Sequence, residues 1–114
     1  MGIVITGEID LAPGTREAAL AGAKELIAMA LAEPGCRHYS WSMDPDHPDR
    51  IHVFEEWDSA ETLAAHFHAP SYTGMLAHLS GFGIAQAVTR KYRFDAVEPV
   101  YGPDGVATAR FTTG

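Results

Sequence analysis

The chain has 114 residues, of which 15 are acidic and 8 are Lys or Arg, so its formal net charge is −7. This length predicts one domain, because two halves would each bury too little apolar surface to fold. The negative charge disfavours nucleic acid and anionic membrane surfaces, which both select basic patches. The single cysteine, Cys36, cannot form an internal disulfide and favours a reducing compartment. Since neither a long apolar run nor a basic leader occurs, we expect a cytoplasmic protein without membrane contact.

The first half of the chain predicts a strand, a helix and a β-hairpin. Residues 3–11 alternate apolar and polar side chains, which is the periodicity of a strand. From Thr15 onward the apolar residues recur at helical spacing until Pro34-Gly35, which predicts one helix. Residues 36–43 and 50–57 predict two strands, and the link rich in Asp and Pro between them favours an antiparallel pair.

The second half predicts two short helices and a last strand. Asp58 is the expected N-cap of the first helix, which runs to about His68, with Glu61 completing a capping box. Ser71 is expected to cap the second helix. Residues 84–97 predict a long strand. The order βαββαβ defines a ferredoxin-like plait of the α+β class, with two helical segments on one face of a four-stranded sheet.

A short tail follows the predicted plait. We assign residues 1–98 to the domain and residues 99–114 to the tail. Gly102-Pro103-Asp104-Gly105 predicts a turn, and residues 106–111 predict a short strand after it. Such a tail is too short for a domain, and we expect it to cross to a partner as an arm.

Several short motifs occur in a fixed order between residues 33 and 67. They are Glu33-Pro34-Gly35-Cys36-Arg37-His38-Tyr39, then Asp44-Pro45 and Pro48, then Phe54-Glu55-Glu56-Trp57-Asp58-Ser59, then Leu63 and His66. On a βαββαβ frame this series resembles the antibiotic biosynthesis monooxygenase family, which includes small quinol monooxygenases and some haem-degrading enzymes. The resemblance covers about residues 3–95. It implies a dimeric α/β barrel, in which two plaits pack sheet to sheet and each subunit has a pocket between its helices and its sheet.

The resemblance also implies an oxidation that uses neither metal nor flavin. Members similar to the quinol enzymes oxidise hydroquinones, polyphenols or anthrones, and the deprotonated substrate itself reduces molecular oxygen. Such a site needs an apolar cavity for a flat aromatic molecule and a base for the phenol proton. We therefore expect a homodimer that oxidises a small aromatic substrate, a quinol or a polycyclic phenol, with O2 and no cofactor.

His66 is the expected catalytic base. It lies at the margin of the apolar helical face that contains Leu63 and Phe67, and a side chain at that margin can point into a pocket beneath the helix. An imidazole ordinarily has a pKa of about 6.5, which suits a base at neutral pH. His66 also stands at the family's recurrent His position, eleven residues after Glu55. The alternative is a boundary histidine that is hydrogen-bonded to the backbone.

Four aromatic residues are the expected substrate contacts. Trp57 and Phe67 are assigned to the pocket wall, and Tyr39 and Tyr72 to orienting a substrate oxygen. Core packing is the alternative for Trp57, Tyr39 and Tyr72, and a place in the dimer interface is a further one for Tyr39. Glu55 shares the strand face of Trp57, and we expect it to anchor the sheet edge rather than to catalyse.

The six histidines do not predict a metal site. His66 and His68 diverge by about 200° on a helix, and His38 and His52, on neighbouring predicted strands, have no third ligand placed by spacing. The Asn that the haem-degrading relatives carry on the first strand is missing here.

Two rival functions stay open: a non-catalytic dimer that binds a small molecule, and an isomerase or decarboxylase that uses the same pocket without oxygen.

Overall fold

A computed structural model describes residues 1–112 of the chain. Its elements in chain order are β1 (Gly2–Leu11), α1 (Arg16–Gly22), α2 (Lys24–Leu31), β2 (Cys36–Met43), β3 (Arg50–Trp57), α3 (Ala60–His66), α4 (Pro70–Ser80) and β4 (Ile84–Phe94). The predicted α+β plait is confirmed, and each helical segment consists of two short helices. None of the helices within residues 1–112 is long and apolar enough to cross a membrane.

The four strands form one antiparallel sheet in the order β2-β3-β1-β4. Ile5 of β1 pairs with Glu55 on one side and with Lys91 on the other, and Glu55 pairs in turn with Tyr39. Because directly paired residues point to the same face of a sheet, these four side chains share one face. The buried residues of β2 and β3 lie on this face, which the helices cover.

The core between the sheet and the helices has two parts. One consists of Ile9, Leu11, Ala19, Ala23, Ile51, Met75 and Leu79, and the other of Ile5, Ala30, Tyr39, Trp57 and Leu63. Among the described residues, the edge strand β4 contributes to neither part. Its inward side chains are therefore left beside a space that the core does not fill.

The predicted first helix is interrupted at Ala23, which separates α1 from α2. His78 of α4 donates a hydrogen bond from Nε2 to the carbonyl oxygen of Ala19 at 2.8 Å. In a continuous helix that carbonyl would accept from the N–H of Ala23. The N–H of Ala23 instead bonds the carbonyl of Leu20 at 3.1 Å, so a contact from a distant helix tightens this turn.

The two predicted helix caps in the second half are wrong. Ser59, not Asp58, is the N-cap of α3, and its hydroxyl oxygen accepts from the N–H of Thr62 at 3.1 Å. Asp58 instead accepts a hydrogen bond from the hydroxyl of Thr62 at 3.0 Å. Ser71 caps no helix, because α4 already begins at Pro70, whose missing N–H is tolerated in a first turn.

The tail after β4 forms no strand over the part that the structure describes. Its turn does form, with a bond from the N–H of Gly105 to the carbonyl of Gly102 and one isolated bridge between Tyr101 and Ala107. The predicted strand over residues 106–111 is therefore wrong, since one bridge supplies no ladder of hydrogen bonds. Large apolar side chains of the tail, Val100 and Phe111 among them, are 59–64% exposed. Residues 113–114 of the predicted arm lie outside the described residues.

Candidate functional site

A cavity of about 340 Å³ lies between the inward face of the sheet and α4. All four strands contribute to its lining, and β4 contributes Ile84 and the short, exposed side chains of Ala87 and Thr89. The other lining residues are mostly aliphatic or aromatic, and Glu55 is the one charged residue among the described residues that line it. Sites for small molecules typically have volumes of roughly 300–1,000 Å³ and few polar groups. This cavity therefore fits one small, mainly apolar ligand.

Glu55 is placed in the cavity wall by the alternation of β3, whose inward face also carries Ile51, Val53 and Trp57. The indole Nε1 of Trp57 donates a hydrogen bond to Oε1 of Glu55 at 3.0 Å. Burial raises the pKa of the Glu55 carboxyl above its ordinary value, and this outweighs the opposite effects of the Trp57 N–H and of His66. A carboxylate with a raised pKa in an apolar cavity is a stronger base than a solvated one.

His66 lies immediately behind this wall, with 1% of its surface exposed. Its ring centroid is 4.5 Å from that of Trp57, 5.5 Å from Tyr72, 5.7 Å from Tyr39 and 5.9 Å from Phe67. The structure thus brings together all five residues that the sequence assigns to the site. Tyr39 comes from β2, whereas the other four lie close together along the chain, between the end of β3 and the first turn of α4.

Each nitrogen of the His66 ring faces a carboxylate. Nδ1 lies 2.9 Å from Oε1 of Glu33, and Nε2 lies 3.9 Å from Oε1 of Glu55. The hydroxyl of Ser71, which is also buried, donates to Oε2 of Glu33 and lies 3.4 Å from Nδ1 of His66. Glu55, His66 and Glu33 therefore form a row of side chains. It begins at the cavity with Glu55 and ends at Glu33, which is partly exposed.

The five predicted site residues divide into two layers. Tyr39, Phe67 and Tyr72 line the cavity, whereas Trp57 and His66 are not among its lining residues and pack directly behind it. Residues of the cavity lining, Glu55 among them, therefore separate His66 from the cavity. The predicted role of Glu55 as an anchor of the sheet edge does not include its place in the cavity wall, although a lone charge on the otherwise apolar inward face of a strand is a signal for a cavity.

Two other histidines each lie beside a single carboxylate, away from the cavity. Nε2 of His52 lies 2.6 Å from a carboxylate oxygen of Asp44 in the hairpin link, and His38 lies 4.0 Å from Glu56 on the outer face of the sheet. Within residues 1–112, no group of three or more His, Cys, Asp or Glu residues is placed to hold a metal ion.

The described part of this plait thus contains an apolar cavity with one inward carboxylate, which has room for a small, largely apolar molecule between the sheet and the helices. The chain belongs to the antibiotic biosynthesis monooxygenase family, whose sequence model matches residues 2–77. This range contains β1 to β3, α1 to α3, most of α4, and all five residues that the sequence assigns to the site together with Glu55.

Three similar proteins place the chain among its relatives. An uncharacterized protein of Synechocystis is 31% identical over 70 residues, which cover 61% of this chain and 48% of that protein. The match thus spans about half the length of that curated relative. A conserved Bacteroides thetaiotaomicron protein of unknown function, described as a possible oxidoreductase, has a structure with a TM-score of 0.72 and 28% identity, over 82% of this chain and 97% of that one. A conserved protein of Methanosarcina mazei has a structure with a TM-score of 0.75 and 21% identity, over 83% of this chain and 94% of that one. This likeness shows the fold alone.

Proposed function

We propose that the protein is a monooxygenase that oxidises a quinol or a small polycyclic phenol with O2. The observation that carries the proposal is the position of Glu55, the charged residue of an otherwise apolar and aromatic cavity, with a pKa raised by burial. Membership in the antibiotic biosynthesis monooxygenase family supports the same oxidative chemistry.

Glu55 takes the hydroxyl proton of the bound phenol in this proposal. Its Oε1 already accepts from Trp57 and faces His66, so Oε2 is the oxygen available to a ligand. A phenol has a pKa of about 10 and a solvated Glu one of about 4.3, so transfer to an ordinary carboxylate costs roughly 8 kcal/mol. Each unit by which burial raises the pKa of Glu55 lowers that cost by about 1.4 kcal/mol. In this proposal the phenols of Tyr39 and Tyr72, which are both in the cavity lining, donate to the developing phenolate.

The oxidation then balances without an added reductant. A ring carbon of the phenolate that carries hydrogen, ortho or para to the oxygen, transfers electrons to O2 and forms a C–O bond, which gives a peroxide. The proton held at Glu55 passes to the peroxide. The same carbon then loses its hydrogen as a proton, the O–O bond breaks, and the products are a quinone and water. One oxygen atom enters the substrate, which supplies all four electrons.

The outer face of the sheet supports a homodimer, which we include in the proposal. Val4, Phe54, Val88 and Tyr92 point away from the helices, and Phe54 and Tyr92 are 41% and 49% exposed. A cluster of apolar side chains on an uncovered sheet face is typical of a protein interface. Two copies packed sheet to sheet would cover it and form the expected barrel.

Oxygen uptake with a panel of quinols and polycyclic phenols tests the proposal, with chelator-treated and flavin-free protein. An active substrate should give uptake and one quinone per O2. Glu55→Gln should lower the rate by roughly 10²- to 10⁴-fold, the usual contribution of a positioned base. Glu61→Gln, an equal change of charge at an exposed position of α3, is the matched control and should keep the rate.

Two results would contradict the proposal. Tight binding of phenols without oxygen uptake would make the protein a binding module. Conversion of a substrate under argon would favour an isomerase or decarboxylase in the same cavity.

A further inference from the structure

Two residues outside the cavity lining hold His66 in place. Glu33 follows α2 in the Glu33-Pro34-Gly35 turn, and its Oε1 lies 2.9 Å from Nδ1 of His66. Ser71, in the first turn of α4, donates its hydroxyl to the other oxygen of the same carboxylate. Both contacts span more than 30 residues of sequence, and His66 and Ser71 are each 1% exposed.

The hydrogen bond between Glu33 and His66 determines which ring nitrogen carries a hydrogen. A carboxylate only accepts, so the 2.9 Å contact requires a hydrogen on Nδ1. In a neutral imidazole the other nitrogen, Nε2, then carries a lone pair. That lone pair faces Oε1 of Glu55 at 3.9 Å, and an approach of about 1 Å brings the two atoms to hydrogen-bond distance.

The arrangement differs from a nucleophilic triad. In a triad the acid and the serine hydroxyl lie at opposite nitrogens of the histidine, so that the histidine accepts the serine proton. Here Ser71 and Glu33 lie on the same side of His66, and the hydroxyl donates to the carboxylate. Ser71 is therefore a support for Glu33.

We propose that Glu33 is a positioning residue that keeps His66 in the Nδ1–H tautomer, so that Nε2 can accept the proton that Glu55 takes from the substrate. This inference rests on the proposed function. The proton that Oε2 takes from the substrate reaches Nε2 of His66 when the carboxyl of Glu55 rotates and Oε2 takes the place of Oε1, and it returns by the same path when the peroxide is protonated. The imidazolium lies meanwhile between the two carboxylates, and the other titratable rings in contact with it are those of Tyr39 and Tyr72.

Nuclear magnetic resonance of the 15N-labelled full chain tests the tautomer without any substrate. Over the pH range in which the chain stays folded, long-range correlations between ring hydrogens and ring nitrogens should show that the neutral ring of His66 carries its hydrogen on Nδ1. A His66→Gln sample identifies the signals by their loss. A neutral Nε2–H form, or a ring that stays doubly protonated throughout, would overturn the inference.

Variants at Glu33 test the consequence for catalysis. A glutamine can either accept from or donate to Nδ1, so Glu33→Gln should let the Nε2–H form appear and lower kcat at least about tenfold with little change in KM. Glu25→Gln, an equal change at an exposed position of α2, is the control for both readouts. Ser71→Ala should give the same change of tautomer in part, and it serves if Glu33→Gln does not fold.

The results separate the two proposals. If His66 shows the Nδ1–H form but no phenol is oxidised, the proposed function fails and the assignment of Glu33 as the residue that sets the tautomer stands. If phenols are oxidised and Glu33→Gln keeps the wild-type kcat, the positioning role is overturned.

Discussion

Trp57 donates its indole N–H to Oε1 of Glu55 at 3.0 Å, from two residues further along the same face of β3. The two side chains are buried, and the rest of that face is apolar. Because the donor stabilises the ionised carboxylate, it limits how far burial raises the pKa of Glu55. The pair therefore combines a carboxyl whose pKa is raised by burial with a donor that favours its ionised form.

Trp57→Phe should move the acidic limb of the activity profile to higher pH. The substitution removes the donor while it keeps an aromatic ring, so the pKa of Glu55 rises further and a smaller fraction is ionised at a given pH. The loss of a hydrogen bond to a charged group should also destabilise the fold by roughly 1.5–3 kcal/mol. The measurements are kcat/KM against pH and unfolding in urea. An unshifted acidic limb would show that Glu55 is not the group that titrates.

Glu55→Gln should change the pH dependence of stability in a defined direction. A carboxyl whose pKa is raised in the folded protein binds its proton more tightly there than in the unfolded chain. Its contribution to stability is therefore lost as the pH rises from the ordinary pKa, about 4.5, through the raised value.

The glutamine variant lacks this loss, so its stability relative to wild type should be higher at pH 7 than at pH 4. Urea unfolding at both pH values measures the difference, and Glu61→Gln provides the matched control. An equal difference at both pH values would contradict the raised pKa.

The plait was predictable because its signals are local. The alternation in residues 3–11 and the link rich in Asp and Pro before Arg50 each lie within one element or one turn. The break at Ala23 was not predictable, since it depends on His78 of a helix more than 50 residues away. Short-range patterns contain no information about such a contact.

The site was predictable in part for the same reason. Tyr39, Trp57 and His66 were recognised through family motifs, and the structure brings them together. Their division into two layers, with Glu55 in front of His66, follows from three-dimensional packing that no spacing encodes. The sequence predicts no role for Glu33 beyond its place in a motif, because its contact with His66 spans 33 residues.

Phe67→Ala should weaken ligand binding more than it weakens the fold. The ring lines the cavity and is 41% exposed, so the loss of stability should stay below the roughly 3–5 kcal/mol of a fully buried Phe. Trp57→Ala, at a fully buried position, should reach that range. Urea unfolding and titration with a bound phenol measure the two effects. A Phe67→Ala variant with unchanged affinity would remove Phe67 from the binding surface.

The protein should be a homodimer whose interface is the outer face of the sheet. Light scattering at micromolar concentration should give a mass near twice 12.3 kDa. Phe54→Asp places a charge on that face and should yield monomers, because burying an unpaired carboxylate is costly. Asp46→Asn, in the exposed hairpin link, is a control that should keep the dimer. A wild-type monomer, or a dimeric Phe54→Asp variant, would contradict this interface.

Removal of the tail after Glu98 should weaken the dimer and leave each plait folded. The core clusters contain no residue of the tail among those described, so its loss should cost the plait little. The large apolar side chains of the tail are exposed and pack in neither core cluster; they are Val100, Tyr101, Val106 and Phe111. If they pack on a partner, each 100 Å² of apolar surface that is buried contributes about 2.5 kcal/mol.

The circular dichroism spectrum of the truncated protein should be unchanged, while its dimer should dissociate at a higher protein concentration than that of the full chain. A full-length Tyr101→Ser, Phe111→Ser variant should reproduce part of the effect, whereas Thr108→Ser should not. An equally tight dimer without the tail would show that the arm takes no part in the interface.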